Sequence, residues 1–409
     1  MKLNQIMLSS NKSIFKDFIL NIIASMIFTI ATQLFTYPYL SRIMSNNHYG
    51  ILLTLMGVIN AIGVALGNPL NNTRILLQSE YDKKKLEGDY NIIFLGISII
   101  DIIIVFILTA IFFNDTNSIM IGCTIISLLI LYRSYYSASY RITINYKKNL
   151  YSSICGFSGY FLGLCLTHIT TIWIFPFFFG ELFSCIYIFF TAHIVHDNFQ
   201  VTELLRKSLM KYLLIMFAAI LSTFMTYMDR FFIYPILGAE QVSIYMVASF
   251  LGKTAGIIMT PITGVLLTYY AKENKLTISR FYKRMVLFLG LSFLFYLVIL
   301  FIGLPITKFL YPTIINSALP YFAIANLASI VFILGNTIQP TLLKFCHTKW
   351  QPIIQISYFL TYLSLSVTGM RQQGLWGFCY AVFTANIIRI LLMLFITTFT
   401  LYNSKKKGD

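Results

Sequence analysis

Thr226-Tyr227-Met228-Asp229-Arg230-Phe231-Phe232-Ile233-Tyr234-Pro235-Ile236-Leu237-Gly238 sets an acid beside a base inside an apolar run that begins after Lys211, just past the middle of the chain. A charge near a bilayer centre costs about 2.5–3.5 kcal/mol on insertion scales, so the pair calls for a reason. The stretch is expected to open the second of two similar halves, with its charges facing a cavity between them. Adjacent residues on a helix point in different directions, so Asp229 and Arg230 need different partners. The plainer alternative is that the pair marks the outer interface, because it sits in the outer third of its span.

Working outward, the 409 residues are 58% hydrophobic and only 11% charged, with a mean hydropathy of +0.77. Soluble domains carry about 25% charged residues, which makes this an all-α polytopic membrane protein. Apolar runs of about 20 residues fall at 18–41, 50–68, 92–113, 119–140, 151–171 and 173–193, then at 212–237, 240–269, 285–309, 318–343, 353–370 and 374–401. Twelve transmembrane helices in two six-helix lobes are therefore expected. The first lobe covers 1–193, a cytoplasmic amphipathic linker 194–211, the second lobe 212–401 and a basic tail 402–409. The first run is too long for a signal-peptide core and reads as a retained span.

The net charge of +16, from 30 Lys and Arg against 14 Asp and Glu, is explained by placement. With the N-terminus cytoplasmic, 23 of the 30 fall in inside segments, among them Arg74, Lys83–Lys85, Arg206, Lys207 and Lys405–Lys407; only Arg42, Lys308 and Arg371 lie outside. Such an asymmetry places both termini in the cytoplasm and makes nucleic acid an unnecessary partner. In the linker, Val201, Leu204, Leu205 and Leu209 fall on one helical face, which suits an interfacial helix on the inner leaflet. The six cysteines show no metal-binding spacing and read as apolar fillers, so no metal is expected. Outside loops such as Asn114-Asp115-Thr116-Asn117 are too short to carry catalysis, and the chain is expected not to be an enzyme.

The two halves also match at their first turns. Aligned at an offset of 193 residues, Arg42–Ile51 and Pro235–Ile244 both run from an apolar pair through a small residue and a polar turn into the next span. Repeats separated by six spans share one orientation and are related by a pseudo-two-fold axis along the membrane normal.

At these residues the chain resembles the polysaccharide transporter family, the repeat-unit flippases of the multidrug/oligosaccharidyl-lipid/polysaccharide exporter superfamily. The resemblance rests on Tyr37-Pro38-Tyr39-Leu40-Ser41-Arg42 with Tyr49-Gly50, on Asp229-Arg230-Phe231-Phe232-Ile233 with Leu237-Gly238 and Tyr245, and on Gly63, Gly67 and Arg74. The stretch Asn68-Pro69-Leu70-Asn71-Asn72 departs from the family pattern. What the resemblance implies is alternating-access transport of undecaprenyl-diphosphate-linked oligosaccharide from the inner to the outer leaflet of a bacterial cytoplasmic membrane. The product would be surface polysaccharide such as O-antigen, capsule or exopolysaccharide. Membrane lipids, a polysaccharide polymerase and chain-length proteins would be its partners.

Four bases lie within spans, Arg133, Arg230, Lys253 and Arg389, with three acids, Asp101, Glu181 and Asp229. Lys253 and Arg389 lie about 20 Å from the nearer helix end at 1.5 Å per residue, too deep to snorkel, and are the first candidates for a cavity that meets a diphosphate. Arg133, Arg230, Arg74 and Arg42 complete the cationic set, although the stem of Arg133 could reach headgroups. Asp101, Glu181 and Asp229 are candidates for ion pairing or for H+ or Na+ coupling; no cofactor is expected. Pro261, Pro340, Gly159 and Gly163 are candidate hinges, with packing the stronger role for the glycines. Two rivals stand beside the flippase. A multispan glycan polymerase or ligase would need a large outer loop, and a multidrug exporter of the same superfamily would favour an acidic cavity.

Overall fold

The structure, a computed structural model, describes residues 19–87, 89–112, 117–271, 273, 276–347 and 349–406. Lys2, Lys12, Lys16, the Asn114–Thr116 turn, Lys272, Lys275 and Lys407 lie outside them, as does the side chain of Pro261. Among the described residues every regular element is a helix. Its helices are α1 (Ile19–Ile43), α2 (Asn46–Lys84), α3 (Asp89–Phe112), α4 (Asn117–Tyr136), the short α5 (Ala138–Ile142), α6 (Tyr146–Thr170) and α7 (Phe175–Thr191). They continue with α8 (Leu205–Leu237), α9 (Ala239–Ala248), α10 (Phe250–Ala271), α11 (Ile278–Leu310), α12 (Ile315–Phe345) and α13 (Trp350–Lys406). Nine helices among the described residues are long and apolar enough to cross a membrane, with α7 a shorter apolar one. The twelve expected passes appear once α9 and α10 are taken as one pass and α13 as two legs broken at Gln373 and Gly374.

Two expectations about boundaries are corrected. The second pass was expected to end near residue 68, but α2 runs on to Lys84 through Pro69. Loss of hydrophobicity at Asn71 and Asn72 is not loss of helicity. Asn71 donates to the Ser134 carbonyl at 3.0 Å, and Arg141 donates to the amide oxygens of Asn71 and Asn72 at 3.1 and 3.0 Å. The helix stops only at Lys85, whose φ of 53° lets Leu86 N–H return to the Tyr81 carbonyl at 3.1 Å, a left-handed C-terminal cap.

The linker is the second correction. Residues 197–204 are not helical, so no amphipathic helix spans Val201–Leu209. The backbone is instead strapped down by polar groups: Asn91 donates to the Asp197 carbonyl at 2.8 Å, and the Asp89 carboxylate accepts both the N–H of Thr202, at 2.7 Å, and its hydroxyl. Asp89 also accepts from Tyr81 at 2.7 Å. A fully buried carboxylate with three donors holds a strand of backbone more tightly than a partly apolar helix face would hold a leaflet.

The chain forms two compact units. One comprises the described residues of Met1–Ile43 and Leu52–Asp229, the other Met44–Ile51 and Arg230–Asp409. The division falls inside α8, between Asp229 and Arg230, beyond the linker where it was expected.

In the first unit, α3 turns one stripe inward, with Ile97, Asp101, Val105 and Thr109 all buried four residues apart, while Ile99, Ile100, Ile103 and Ile107 are exposed. Such one-sided burial with an apolar outer face is what a helix facing lipid requires. An aromatic cluster of Tyr81, Tyr90, Phe94, Tyr132, Tyr135 and Tyr136 fills the end of this unit that carries the basic segments. Helices α6 and α7 meet closely at Gly159, where an added Cβ would fall on the Phe179 carbonyl, so packing, not bending, is its role.

In the second unit the eighth pass breaks at Ser249 and not at Pro261, which lies inside α10. Asn326 of α12 makes the break affordable. Its amide donates to the Ala248 carbonyl at 2.7 Å and accepts the Gly252 N–H at 2.8 Å, the groups an interrupted helix leaves open in lipid. Pro340 likewise sits inside the unbroken α12. Ser45, in the non-helical step between α1 and α2, and Gly238, between α8 and α9 with φ 90°, stand at the same offset of 193 found in the sequence.

Candidate functional site

Arg389, on the second leg of α13, is 4% exposed. Its guanidinium lies between the rings of Phe332 and Tyr358, at 5.0 and 5.1 Å from their centroids, and donates from Nη2 to Asn336 Oδ1 at 3.0 Å. Nε and Nη1 have no hydrogen-bond partner among the described residues, and neither does Oδ1 of Asn386, one turn earlier. Two aromatic faces contribute about 2 kcal/mol each when desolvated. An uncompensated buried charge costs several kcal/mol, so the rings soften this cost without cancelling it. Gly335 completes the wall, its missing side chain leaving room beside Nη1. The arrangement is a buried cation with open donors and no carboxylate within ion-pair reach among the described residues.

Lys253, on α10 of the same unit, is half-buried, with its ammonium 4.6 Å from the Tyr245 ring and 3.3 Å from Met246 Sδ. Arg230 begins the longer segment of this unit and Asp229 ends the other unit; each is 7% exposed. Arg42 is exposed in the last turn of α1.

In the first unit Arg133, expected as a cavity cation, forms a planar pair with Glu181, Nε to Oε2 at 2.5 Å and Nη2 to Oε1 at 3.0 Å. The Phe28 ring covers the guanidinium at 4.5 Å, and Tyr160 lies 3.5 Å from Glu181 Oε1. This is the bidentate geometry that makes an Arg–carboxylate pair strong. Asp101, fully buried, has no base within ion-pair reach among the described residues. It accepts from the Ser127 hydroxyl at 2.8 Å, and its Oδ2 has no partner among the described residues. Arg74 pairs with Asp197, donates to the Tyr135 hydroxyl at 2.9 Å and lies over the Tyr90 ring at 5.2 Å. It fastens the strap 197–204 rather than standing open.

Of the nine candidate residues, the structure thus brings Arg133 and Glu181 together and surrounds Arg389 with residues that sequence reading did not single out: Asn336, Phe332, Tyr358 and Asn386. Their signal was available in part. Asn326, Asn336 and Asn386 are amides inside apolar runs, and Asn386 and Arg389 stand three apart on one helix face. The aromatics carry no such signal among 37 Phe and 27 Tyr.

No protein-family model and no curated protein matches the chain. Solved structures do. The chain is similar to the lipid II flippase MurJ in an inward closed conformation, with a TM-score of 0.68 at 15% identity over 94% of this chain and 86% of that one. It is also similar to a multidrug resistance MATE family transporter of the MOP superfamily in an inward-facing conformation, with a TM-score of 0.67 at 12% identity over 95% and 96%. A MATE structure in a bent conformation aligns with a TM-score of 0.57 at 12% identity over 97% and 96%. At such identities the likeness is one of fold, and the chain has the all-α, two-lobe polytopic fold of these transporters.

Proposed function

We propose that the chain is a transporter that moves an undecaprenyl-diphosphate-linked oligosaccharide from the inner to the outer leaflet of a bacterial cytoplasmic membrane. The observation that carries this reading is Arg389: a buried guanidinium with two open nitrogens and no carboxylate within ion-pair reach among the described residues is where a diphosphate gains most, since charge-assisted bonds to Arg are strong in a dry site. A cationic drug would be repelled at the same place, which separates this reading from multidrug export. Supporting it are the resemblance at Asp229-Arg230 and the likeness in fold to a lipid II flippase.

The test is a proteoliposome assay with fluorescent undecaprenyl diphosphate bearing one sugar. Arg389→Gln is expected to lower translocation by about tenfold, the loss of one charge-assisted bond, while ethidium is not transported by either protein. Ethidium export that survives Arg389→Gln would replace the flippase with a drug exporter. Asp101 is proposed as the coupling acid, so Asp101→Asn is expected to abolish any dependence of flux on a pH gradient.

A further inference from the structure

A polar cavity of about 300 Å3 lies wholly within the first unit, between α1, α4, α6 and α7. Its size is at the lower end of the about 300–1,000 Å3 typical of ligand sites. The beginning of α6 lines one side, with Asn149 and Ser153, placing the cavity at the end of the unit that carries Lys147 and Lys148 and is expected to face the cytoplasm. Arg133 closes the far side.

The charges and protons in this cavity restrict what it can hold. Arg133 is already neutralised by Glu181, so the cavity offers no net positive charge to a phosphate. Three hydroxyl protons are directed elsewhere as well. Ser25 donates to the Asn21 carbonyl at 3.0 Å, Ser153 to the Asn149 carbonyl at 3.1 Å, and Ser137 to the Ser134 carbonyl at 3.3 Å, its oxygen accepting from Asn71 at 3.3 Å with a lone pair to spare; Ser152 is paired with Ser184 at 2.7 Å. What these side chains turn toward a ligand is oxygen lone pairs, which an acceptor-only phosphate cannot use. Two donors remain: Arg133 Nη1, which makes no hydrogen bond among the described residues, and the second amide N–H of Asn149, whose first goes to Asn21 Oδ1 at 2.9 Å. The Phe28 ring supplies an apolar wall beside it.

We infer that this cavity is a carbohydrate subsite: it takes a sugar residue, whose hydroxyls donate to Ser25, Ser137 and Ser153 and whose ring or amide oxygen accepts from Arg133. The inference rests on the proposed function, since the sugar would be that of the lipid-linked oligosaccharide while its diphosphate is met elsewhere.

The experiment compares two probes on the full chain in nanodiscs, undecaprenyl diphosphate alone and undecaprenyl diphosphate bearing one N-acetylglucosamine. Wild type is expected to bind the sugar-bearing probe about fivefold more tightly, the worth of one or two neutral hydrogen bonds. Ser153→Leu, which fills the cavity, is expected to erase that difference and leave the bare probe's affinity unchanged. Ser25→Leu fills the same space from an exposed position on α1 and guards against a folding defect in the first variant. If both variants keep the preference for the sugar-bearing probe, or if wild type binds the two probes equally, the subsite is overturned while the flippase reading stands. If wild type binds neither probe, the proposed function itself fails and takes the subsite with it.

Discussion

Arg389 donates to Asn336 across α13 and α12 at 3.0 Å, and that amide is its sole hydrogen-bond partner among the described residues. Stability and function are therefore opposed at this position. A buried charge without a counter-ion is a liability to the fold, and exchanging it for an apolar side chain of similar volume removes the cost. Arg389→Met is expected to raise the thermal midpoint of the detergent-solubilised protein, by up to about 1–4 kcal/mol of stability, while abolishing translocation. A lower midpoint would mean that Arg389 is a structural anchor.

Arg133 and Glu181 behave in the opposite way because each is the other's compensation. Glu181→Met or Arg133→Met alone is expected to destabilise by about 3–5 kcal/mol, by leaving one buried charge unmatched. The double variant Arg133→Met with Glu181→Met should recover most of that loss. Thermal unfolding of the four proteins gives the coupling directly, and additive losses would show that the pair contributes nothing jointly.

The strap at 197–204 hangs on Arg74, Asn91 and Asp89. Asp197→Ala leaves Arg74 buried and unmatched, and Asp89→Asn removes the charge that Thr202 and Tyr81 donate to. Either variant is expected to open the strap to limited proteolysis between Val201 and Leu205 at least about tenfold faster, as local unfolding becomes cheaper. Val201→Ser, at a residue 70% exposed, should leave the rate unchanged.

Close helix contact gives a paired test. Gly159→Ala sets a methyl group against the Phe179 carbonyl, whereas a Cβ at Gly290 meets nothing within 4 Å. Gly159→Ala is expected to cost about 1–3 kcal/mol through overpacking. Gly290→Ala should be neutral or gain up to about 1 kcal/mol from helix propensity. Equal effects in thermal unfolding would refute the packing role.

The hairpin between the last two passes depends on Gly374, whose φ of 57° and ψ of −135° are open to glycine and strained for other residues. Gly374→Ala is expected to cost about 1–3 kcal/mol, read as a lower thermal midpoint. Ala at Gly96, an α3 position with nothing within 4 Å, is the matched control.

The twelve passes were legible because lipid imposes a rule that acts on each segment alone: about 20 apolar residues, whatever surrounds them. The offset of 193 between Ser45 and Gly238 was legible for the same reason, since breaks between passes are local. Polarity misled where protein replaced lipid as the environment. Asn71 and Asn72 end an apolar run yet continue a helix, because Ser134 and Arg141 from distant segments satisfy them. Val201–Leu209 has the pattern of an amphipathic helix yet is not helical before Leu205, because Asp89 binds the backbone and hydroxyl of Thr202. The charged residues divide along the same line. That Arg133, Asp101, Glu181 and Arg389 are unusual follows from composition alone, but which of them has a partner does not. Pairing is a matter of a few ångströms between side chains about 50 residues apart, as with Arg133 and Glu181. Only the tertiary structure decides that Arg133 is matched by Glu181 while Arg389 is left with an amide and two aromatic rings.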